Sequence, residues 1–247
     1  MKTMTYQIQP DFKHVKPLIK NIEKYFNNSE TVLHDKRNEI RVVSFGNENF
    51  VVKAFRVPNL INRFAYRYFR ASKAKRSYEY SIRVGAELCP EAVSFIEENS
   101  GFLLSRSYYI SRHFDYDFEI RAVLNDKSFK NRTQILEEFA EFTHLLHEKS
   151  ILHRDYSPGN ILVKKSGEHY LFKIVDVNRM QFKTLTLEDR LSNFVRLSAD
   201  DEAMKVILYR YAQCIQKPEE EMLSLARKYS DEYEGKRALK NKLRGRT

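Results

Sequence analysis

The first half of the chain carries short runs in which apolar residues predominate or alternate with polar ones, a pattern that predicts β-strands. Gly46 and Asn47 lie between two such runs and suit a hairpin turn. A second pair of runs surrounds a turn at 99–101. The four predicted strands are 38–44, 49–54, 92–97 and 102–111. We therefore expect a β-rich N-terminal lobe.

Helical spacing of apolar residues interrupts these strands twice. After Pro58, apolar residues from Ile61 to Phe69 recur at i, i+3, i+4, i+7 and i+8, which predicts one helix. A second helical stretch covers about 72–84 and stops near Gly85.

The second half of the chain is mostly helical. An apolar stripe from Ile135 to Leu146 predicts a helix that ends near Lys149. From Thr186 onward the pattern is helical again, and Asp189 stands where an acidic variant of the capping box needs it. Between these helices we expect a polar loop at 152–159 and two strands at 161–164 and 169–175.

Length and element order together predict one α+β domain with two lobes. We assign an N-lobe at about 1–111, a hinge at about 112–117, a C-lobe at about 118–235 and a basic tail at 236–247.

Charge and composition narrow the class of protein. Lys and Arg number 43 against 33 Asp and Glu, and this net charge of +10 favours an anionic partner. The chain has no apolar run of about 18 residues and no secretory h-region at its start. Two cysteines without paired or metal spacing favour a reducing cytosol. The chain has only 7 glycines, and they form neither a Walker loop nor a GxGxxG fingerprint.

The most specific motif is His153-Arg154-Asp155, followed after four residues by Asn160, between a predicted helix and a predicted strand. A carboxylate there can orient an acceptor hydroxyl and take its proton, which is the role we assign to Asp155. Asn160 can turn its amide oxygen toward a metal held on phosphates. The alternative is an ordinary polar loop, and a carboxylate downstream argues against it.

That downstream carboxylate is Asp176, which follows the apolar strand residues Ile174 and Val175. A hard oxygen ligand at a strand end suits Mg²⁺, which takes one or two carboxylates together with phosphate oxygens. By itself, an Asp in this position is more often a turn former. Its pairing with Asn160 favours the metal role, although only the aspartate of a DFG triplet is present.

Lys53 ends a strand, Phe50-Val51-Val52-Lys53, that resembles the VAIK strand whose lysine binds nucleotide phosphates. Its place after the hairpin at Gly46 favours this role over that of a solvated surface lysine. Glu79 on the following helix would pair with Lys53 and fix its direction. A surface pair of Glu79 with Arg83 at i+4 is the alternative, and Glu87 is a weaker candidate for the role.

His144 and His147 lie at the end of the amphipathic helix, and no third ligand is spaced to complete a zinc site. We expect both residues at the surface or its boundary. The helical Tyr and Phe residues follow apolar stripes, which predicts core packing rather than base stacking.

Taken together, Lys53, Glu79, the loop at 153–160 and Asp176 resemble the protein kinase-like superfamily. In finer detail they resemble the bacterial lipopolysaccharide kinase family of Kdo and heptose kinases (Kdo/WaaP). The finer resemblance includes SKAKRSYE at 72–79 and IVDVNRM at 174–180, and it spans roughly 40–200. It implies an α+β, protein kinase-like two-lobe fold. It also implies a phosphotransferase that moves the γ-phosphate of ATP to a sugar hydroxyl of the lipopolysaccharide inner core.

The resemblance further implies a role for each site residue. Asp155 is the catalytic base, Asn160 and Asp176 are Mg²⁺ ligands, Lys53 with Glu79 positions the phosphates, and Gly46 is what remains of the Gly-rich loop. The implied cofactors are ATP and Mg²⁺, and the implied acceptor is an anionic glycolipid of the lipopolysaccharide core. No APE segment follows Asp176, which favours a sugar or lipid acceptor over a protein.

Two alternatives stay open. One is a kinase-like phosphotransferase for a protein or a small-molecule acceptor. The other is a non-catalytic basic module that binds membrane or nucleic acid on a kinase scaffold. The complete set of Lys53, Asp155, Asn160 and Asp176 argues against the second, and we do not expect nucleic acid as a partner.

The resemblance also implies a cytoplasmic protein that works at the surface of the inner membrane. Arg63, Arg67 and Arg70 fall at i, i+4 and i+7 of the predicted helix after Pro58, away from its apolar stripe. We expect them to contact anionic membrane peripherally, and a solvated helix face is the alternative.

Overall fold

The computed structural model describes residues 2–35, 38–55, 71–101 and 103–243. The chain divides into two compact units, residues 1–115 and 116–247. Their boundary falls within the segment 112–117. The assignment of that segment as a hinge stays a prediction, and so does the assignment of 236–247 as a basic tail.

The N-terminal unit contains six strands. They are β1 Lys2–Ile8, β2 Val32–Asp35, β3 Glu39–Phe45, β4 Glu48–Phe55, β5 Ala92–Ser100 and β6 Leu103–Arg112. All pair antiparallel in one sheet of order β1-β5-β6-β4-β3-β2. The four strands predicted from the sequence are confirmed as β3 to β6. Sequence analysis missed the two outer strands, β1 and β2.

Short helices lie between β1 and β2. A 3₁₀ segment at Pro10–Val15 leads into α1, Lys16–Lys20, and α2, Ile22–Asn27. Their apolar side chains pack with Phe50 and Val52 of β4 in one core cluster. Alternate residues of a strand point to opposite faces, and accordingly Phe55 packs in a second cluster on the other face.

Helix α3, Lys73–Val84, packs against β5 and β6 on that second face. Ser72 begins the helix by accepting a hydrogen bond from the backbone N–H of Lys75, at 3.1 Å. Gly85 ends it with a φ of 93°, a conformation that suits glycine. This confirms the helix predicted for about 72–84. The predicted helix after Pro58, with Arg63, Arg67 and Arg70, lies outside the described residues.

The C-terminal unit combines short strands with five described helices. The strands are β7 Phe118–Glu119, β8 Ile151–Leu152, β9 Ile161–Ser166, β10 His169–Ile174 and β11 Gln181–Phe182. The helices are α4 Ile120–Asn125, α5 Arg132–Glu148, α6 Leu187–Val195, α7 Asp201–Cys214 and α8 Glu219–Leu243. Strands β10, β9 and β7 form one sheet, and β11 pairs with β8.

Helix α5 is the central element of this unit. Its predicted stripe is buried, including Ile135, Phe139 and Leu146, except at Leu145, which is exposed. The helix packs against α7 and β10. At the start of α6, Thr186 and Asp189 exchange hydrogen bonds of 3.1 and 3.2 Å, which confirms the capping box. The prediction of an α+β fold with an N-terminal sheet and C-terminal helices is confirmed. Among the described helices, none is long and apolar enough to cross a membrane.

Candidate active site

His153 lies in the loop between β8 and β9 and joins two parts of the site. Its ring is buried, with Nε2 2.9 Å from the carbonyl oxygen of Val175 and Nδ1 3.1 Å from the backbone nitrogen of Asp155. Because a carbonyl accepts and a backbone N–H donates, Nε2 carries the proton and Nδ1 accepts. Burial is the main cause that lowers the pKa of His153, so the imidazole is neutral at neutral pH.

Asp155 combines a fixed backbone with an accessible side chain. Its carbonyl oxygen accepts hydrogen bonds of 2.8 Å from both the Ser157 backbone and the Asn160 side chain. Its carboxylate is 41% exposed, and Arg179 lies 3.8 Å from it. A carboxylate held in this way can meet a substrate hydroxyl without moving the loop.

The residue after Asp155 anchors the same loop to α5. Tyr156 is fully buried and stacks on Phe139, with 5.9 Å between ring centroids. Its hydroxyl donates to Thr143 Oγ1 at 2.8 Å, and Thr143 in turn donates to the Phe139 carbonyl. Burial raises the pKa of Tyr156, which excludes the phenol as a base at neutral pH.

Asn160 and Asp176 lie on neighbouring strand ends. The backbone N–H of Val175 donates to the Asn160 carbonyl at 2.9 Å, which sets the position of the next residue, Asp176. Asp176 has left-handed backbone angles, φ 59° and ψ 43°, which cost a non-glycine residue energy and are tolerated best by Asn and Asp. The buried Asn178 side chain donates to Asp176 Oδ1 at 2.5 Å and orients the carboxylate.

The chemistry of these donors fits Mg²⁺. The amide nitrogen of Asn160 donates to the Asp155 carbonyl, so its amide oxygen is the atom left to face a metal. Together with the Asp176 carboxylate it offers two hard oxygen ligands, and Mg²⁺ takes the rest of its shell from phosphates and water. The described residues hold no cluster of three or more His, Cys, Asp or Glu that would bind a metal by themselves.

A buried polar chain from the helices supports the loop that carries Asp155. Asn193 of α6 donates to the His153 carbonyl at 3.0 Å and accepts from His147 Nε2 at 3.1 Å. His147 Nδ1 then accepts from the Tyr211 hydroxyl at 2.7 Å. Desolvation by burial is the main cause that lowers the pKa of His147 to about 4, so this ring is neutral as well.

The expected surface or boundary position of His147 is therefore wrong, since the residue is 1% exposed. Its hydrogen-bond partners come from α6 and α7, far along the chain, and they provide the polar contacts that let a histidine be buried. His144 is half-buried, 3.9 Å from Glu148.

The remaining site candidates belong to the N-terminal unit. Lys53 lies on β4 opposite Ile40 and Tyr109, with its Nζ 5.5 Å from the centre of the Phe55 ring. Gly46 forms the β3–β4 turn with a φ of 61°, and no atom outside the turn lies within 4 Å of where its Cβ would be.

Glu79 is on the exposed side of α3 and pairs with Lys75, one turn before it, at 3.9 Å. Such an exposed pair is worth only a few tenths of a kcal/mol. The expected pairing of Glu79 with Lys53 would replace the pair of Glu79 with Lys75. The pairing with Lys53 stays a prediction.

Sequence reasoning missed several residues that shape this site. Asn178 and Arg179 lie two and three residues after Asp176, and they contact Asp176 and Asp155 respectively. Asn193 and His147 act through the loop backbone. The motif around Asp176 was a signal for the first pair, whereas nothing local in the sequence marks the second pair.

Comparisons with known proteins identify the fold and the family. A solved structure described as WaaP in complex with acyl carrier protein matches with a TM-score of 0.58 and 14% sequence identity, over 92% of this chain and 98% of that chain. At this identity the likeness shows the fold alone, an α+β kinase fold with an N-terminal sheet. No curated protein matches the chain. The lipopolysaccharide kinase (Kdo/WaaP) family matches residues 83–229, more than half of the chain. The protein therefore belongs to the lipopolysaccharide kinase (Kdo/WaaP) family, a family of phosphotransferases that use ATP.

Proposed function

We propose that the protein transfers the γ-phosphate of ATP to a sugar hydroxyl, on Kdo or heptose, of the lipopolysaccharide inner core. The observation that carries this proposal is the accessible Asp155 carboxylate, whose backbone is tied through His153 to the strand end that precedes Asp176. Family membership supplies the reaction class.

In this proposal Asp155 acts as the general base. As the acceptor oxygen bonds to the γ-phosphorus, the bond between that phosphorus and the bridging oxygen of ADP breaks. The hydroxyl proton passes to Asp155 and then to solvent. The rigid loop matters because phosphoryl transfer depends mainly on positioning and charge stabilisation.

Asn160 and Asp176 would hold Mg²⁺ through their side-chain oxygens. When bound, the ion would supply positive charge that offsets the negative charge of the nucleotide phosphates. Asn178 keeps the Asp176 carboxylate oriented for this role. By resemblance to the family, Lys53 binds phosphates with help from Glu79, and the open turn at Gly46 covers them.

The direct test uses purified protein with ATP, Mg²⁺ and deacylated inner-core oligosaccharide, with mass spectrometry to locate the added phosphate. We expect transfer to a Kdo or heptose hydroxyl. Asp155→Ala should lose roughly 10²- to 10⁴-fold in turnover. Asp231→Asn, an exposed aspartate on α8, is the matched control and should keep wild-type turnover.

Other acceptors in the same assay decide between the open alternatives. Transfer to a protein substrate or an aminoglycoside, with none to the oligosaccharide, would replace the proposed acceptor by that class. Wild-type turnover in Asp155→Ala would remove Asp155 from the role of base.

We also propose that the protein acts in the cytoplasm and contacts the anionic inner membrane peripherally. The net charge of +10 supports this, since each basic residue near anionic lipid adds about 1 kcal/mol. Sedimentation with phosphatidylglycerol vesicles should show binding that weakens as salt is raised. Changing Arg63, Arg67 and Arg70 together to Ser should reduce it, and a triple variant that pellets like wild type would contradict the proposed contact.

A further inference from the structure

We propose that Arg179 and Arg121 bind an anionic group of the acceptor, a carboxylate or a phosphate on the sugar that carries the reacting hydroxyl. This inference rests on the proposed function and adds which residues select the acceptor and by what chemistry. It depends on two guanidinium groups that reach the same catalytic loop within the C-terminal unit.

Arg179 stands beside the proposed base. It is the last residue of the 3₁₀ turn Val177–Arg179, in which Asn178 faces inward to Asp176. Its Nη1 lies 3.8 Å from Asp155 Oδ2, and the side chain is 56% exposed. That separation is longer than a hydrogen bond, so the N–H donors of the guanidinium are still available to a ligand. It is also short enough for the guanidinium to contact a group bound at Asp155.

Arg121 reaches the other end of the loop. Its guanidinium lies so close to Gly159 that a Cβ at that position would overlap it. Glycine therefore admits an arginine against the loop backbone, one residue before Asn160. The Arg121 side chain is 57% exposed, and its ionic partner Glu119 is 3.5 Å away, again beyond hydrogen-bond distance.

The charge of the site explains why the acceptor needs these groups. Asp155 and Asp176 are both carboxylates, and an anionic sugar that approaches them is repelled. Two guanidinium groups that reach the same loop offset that repulsion. Their planar donors match carboxylate and phosphate oxygens in pairs, which a lysine does not do. A neutral acceptor would gain less from them than an anionic one, so they favour an anionic acceptor.

The test compares three acceptors and three variants. The acceptors are deacylated inner-core oligosaccharide, the same oligosaccharide with its carboxylates reduced to hydroxymethyl groups, and the same oligosaccharide treated with phosphatase. The variants are Arg179→Gln, Arg121→Gln and the control Arg210→Gln, which removes one exposed arginine paired with Glu141 on α5.

With the intact acceptor, we expect Arg179→Gln and Arg121→Gln to raise KM for the oligosaccharide roughly 10- to 100-fold, the loss of one charged hydrogen bond. The value of kcat should change little, because binding to ground and transition states is lost equally. Arg179→Lys should recover part of the affinity, and Arg210→Gln and the KM for ATP should match wild type.

The modified acceptors identify the anionic group. Removing the group that the arginines bind should raise the wild-type KM by a similar factor, and the arginine variants should then add nothing further. If reduction has this effect the ligand is a carboxylate, and if phosphatase treatment has it the ligand is a phosphate.

Equal losses for the variants on the intact acceptor and on both modified acceptors would overturn the inference, as would a fall in kcat with KM unchanged. A wild-type enzyme that phosphorylates none of the oligosaccharides overturns the proposed function itself, and this result is distinct because it appears before any variant is compared. Melting temperatures close to wild type exclude misfolding as the cause of either result.

Discussion

Asn193 donates a 3.0 Å hydrogen bond to the carbonyl oxygen of His153, so helix α6 supports the loop that carries Asp155. The orientation of the amide follows from its two partners. Its nitrogen serves a carbonyl, and its oxygen accepts from His147 Nε2. The geometry proposed for catalysis thus depends on a buried residue that acts through the backbone of the loop.

Replacing Asn193 by Ala should therefore reduce both stability and turnover. Leaving the His153 carbonyl and His147 Nε2 without partners in the interior costs about 1–3 kcal/mol each. A displaced loop should in addition lower kcat about tenfold or more, because small misplacements of catalytic groups have large effects. Thermal melting and steady-state kinetics at a temperature well below the transition separate the two effects.

Ser94→Ala is the matched control for this prediction. Ser94 is buried in β5 and donates to the Gln7 carbonyl at 2.7 Å, so its loss also removes one buried hydrogen bond. It should lower the melting temperature without changing kcat below that temperature. Equal kcat values for the Asn193 and Ser94 variants would limit Asn193 to a structural role.

His153→Leu should destabilise the protein about as much as Asn193→Ala and more than Ser94→Ala, because one ring serves both halves of the site. The substitution leaves the Asp155 N–H and the Val175 carbonyl without their partners. We expect a loss of roughly 2–6 kcal/mol in the free energy of unfolding, two unsatisfied groups at about 1–3 kcal/mol each. Urea unfolding measures this loss. A His153→Leu variant as stable as wild type would show that the ring does not hold the loop.

Local signals explain which parts of the fold were predictable. The turn at Gly46 and the capping box of Thr186 with Asp189 depend on residues close together in sequence, and both appear as expected. By contrast, β1 pairs with β5, whose residues lie far along the chain, so its own pattern could not indicate a partner. The same reason hid His147, since its burial depends on Tyr211 and Asn193.

The site shows the same division. The spacing of Asp155, Asn160 and the strand before Asp176 predicted that the loop and the two carboxylates belong to one site. In the structure they lie in the same unit. The contacts that Asn193 and His147 make behind the loop are tertiary and were not predictable. Asn178 lies within the motif around Asp176, but its contact with that carboxylate depends on the left-handed backbone at Asp176.

Stability should fall as the solution becomes acidic, partly through His147. Its pKa is lowered from 6.5 to about 4 in the folded protein, mainly by burial. Between these values the unfolded chain binds a proton that the native protein does not, so acidification favours unfolding, and above pH 6.5 this contribution is constant. The full difference corresponds to about 3 kcal/mol.

Urea unfolding at about pH 7, 6 and 5 measures this dependence. His147→Gln should be less stable at neutral pH but should show a flatter decline toward acid. The decline should persist in part, because the pKa of His153 is lowered in the same direction. Arg190, His144 and Glu148 all act on the pKa of His147, and all three remain in His147→Gln, so the comparison removes the imidazole alone. Identical slopes in the two proteins would contradict the prediction.

Asp176→Asn should weaken nucleotide binding that depends on Mg²⁺. The substituted amide can still accept from Asn178 through its oxygen, so the local shape is kept while one negative charge is lost from the proposed metal site. In wild type, ATP with Mg²⁺ should raise the melting temperature more than ATP with EDTA, because a ligand stabilises the native state as far as it binds it. A tenfold loss of affinity in Asp176→Asn would reduce that stabilisation by about 1.4 kcal/mol at saturating ATP.

Asp231→Asn should respond like wild type. A wild-type shift that is the same with Mg²⁺ and with EDTA would remove the metal role from Asp176 and Asn160, while the assignment of Asp155 would still be decided by its own turnover assay.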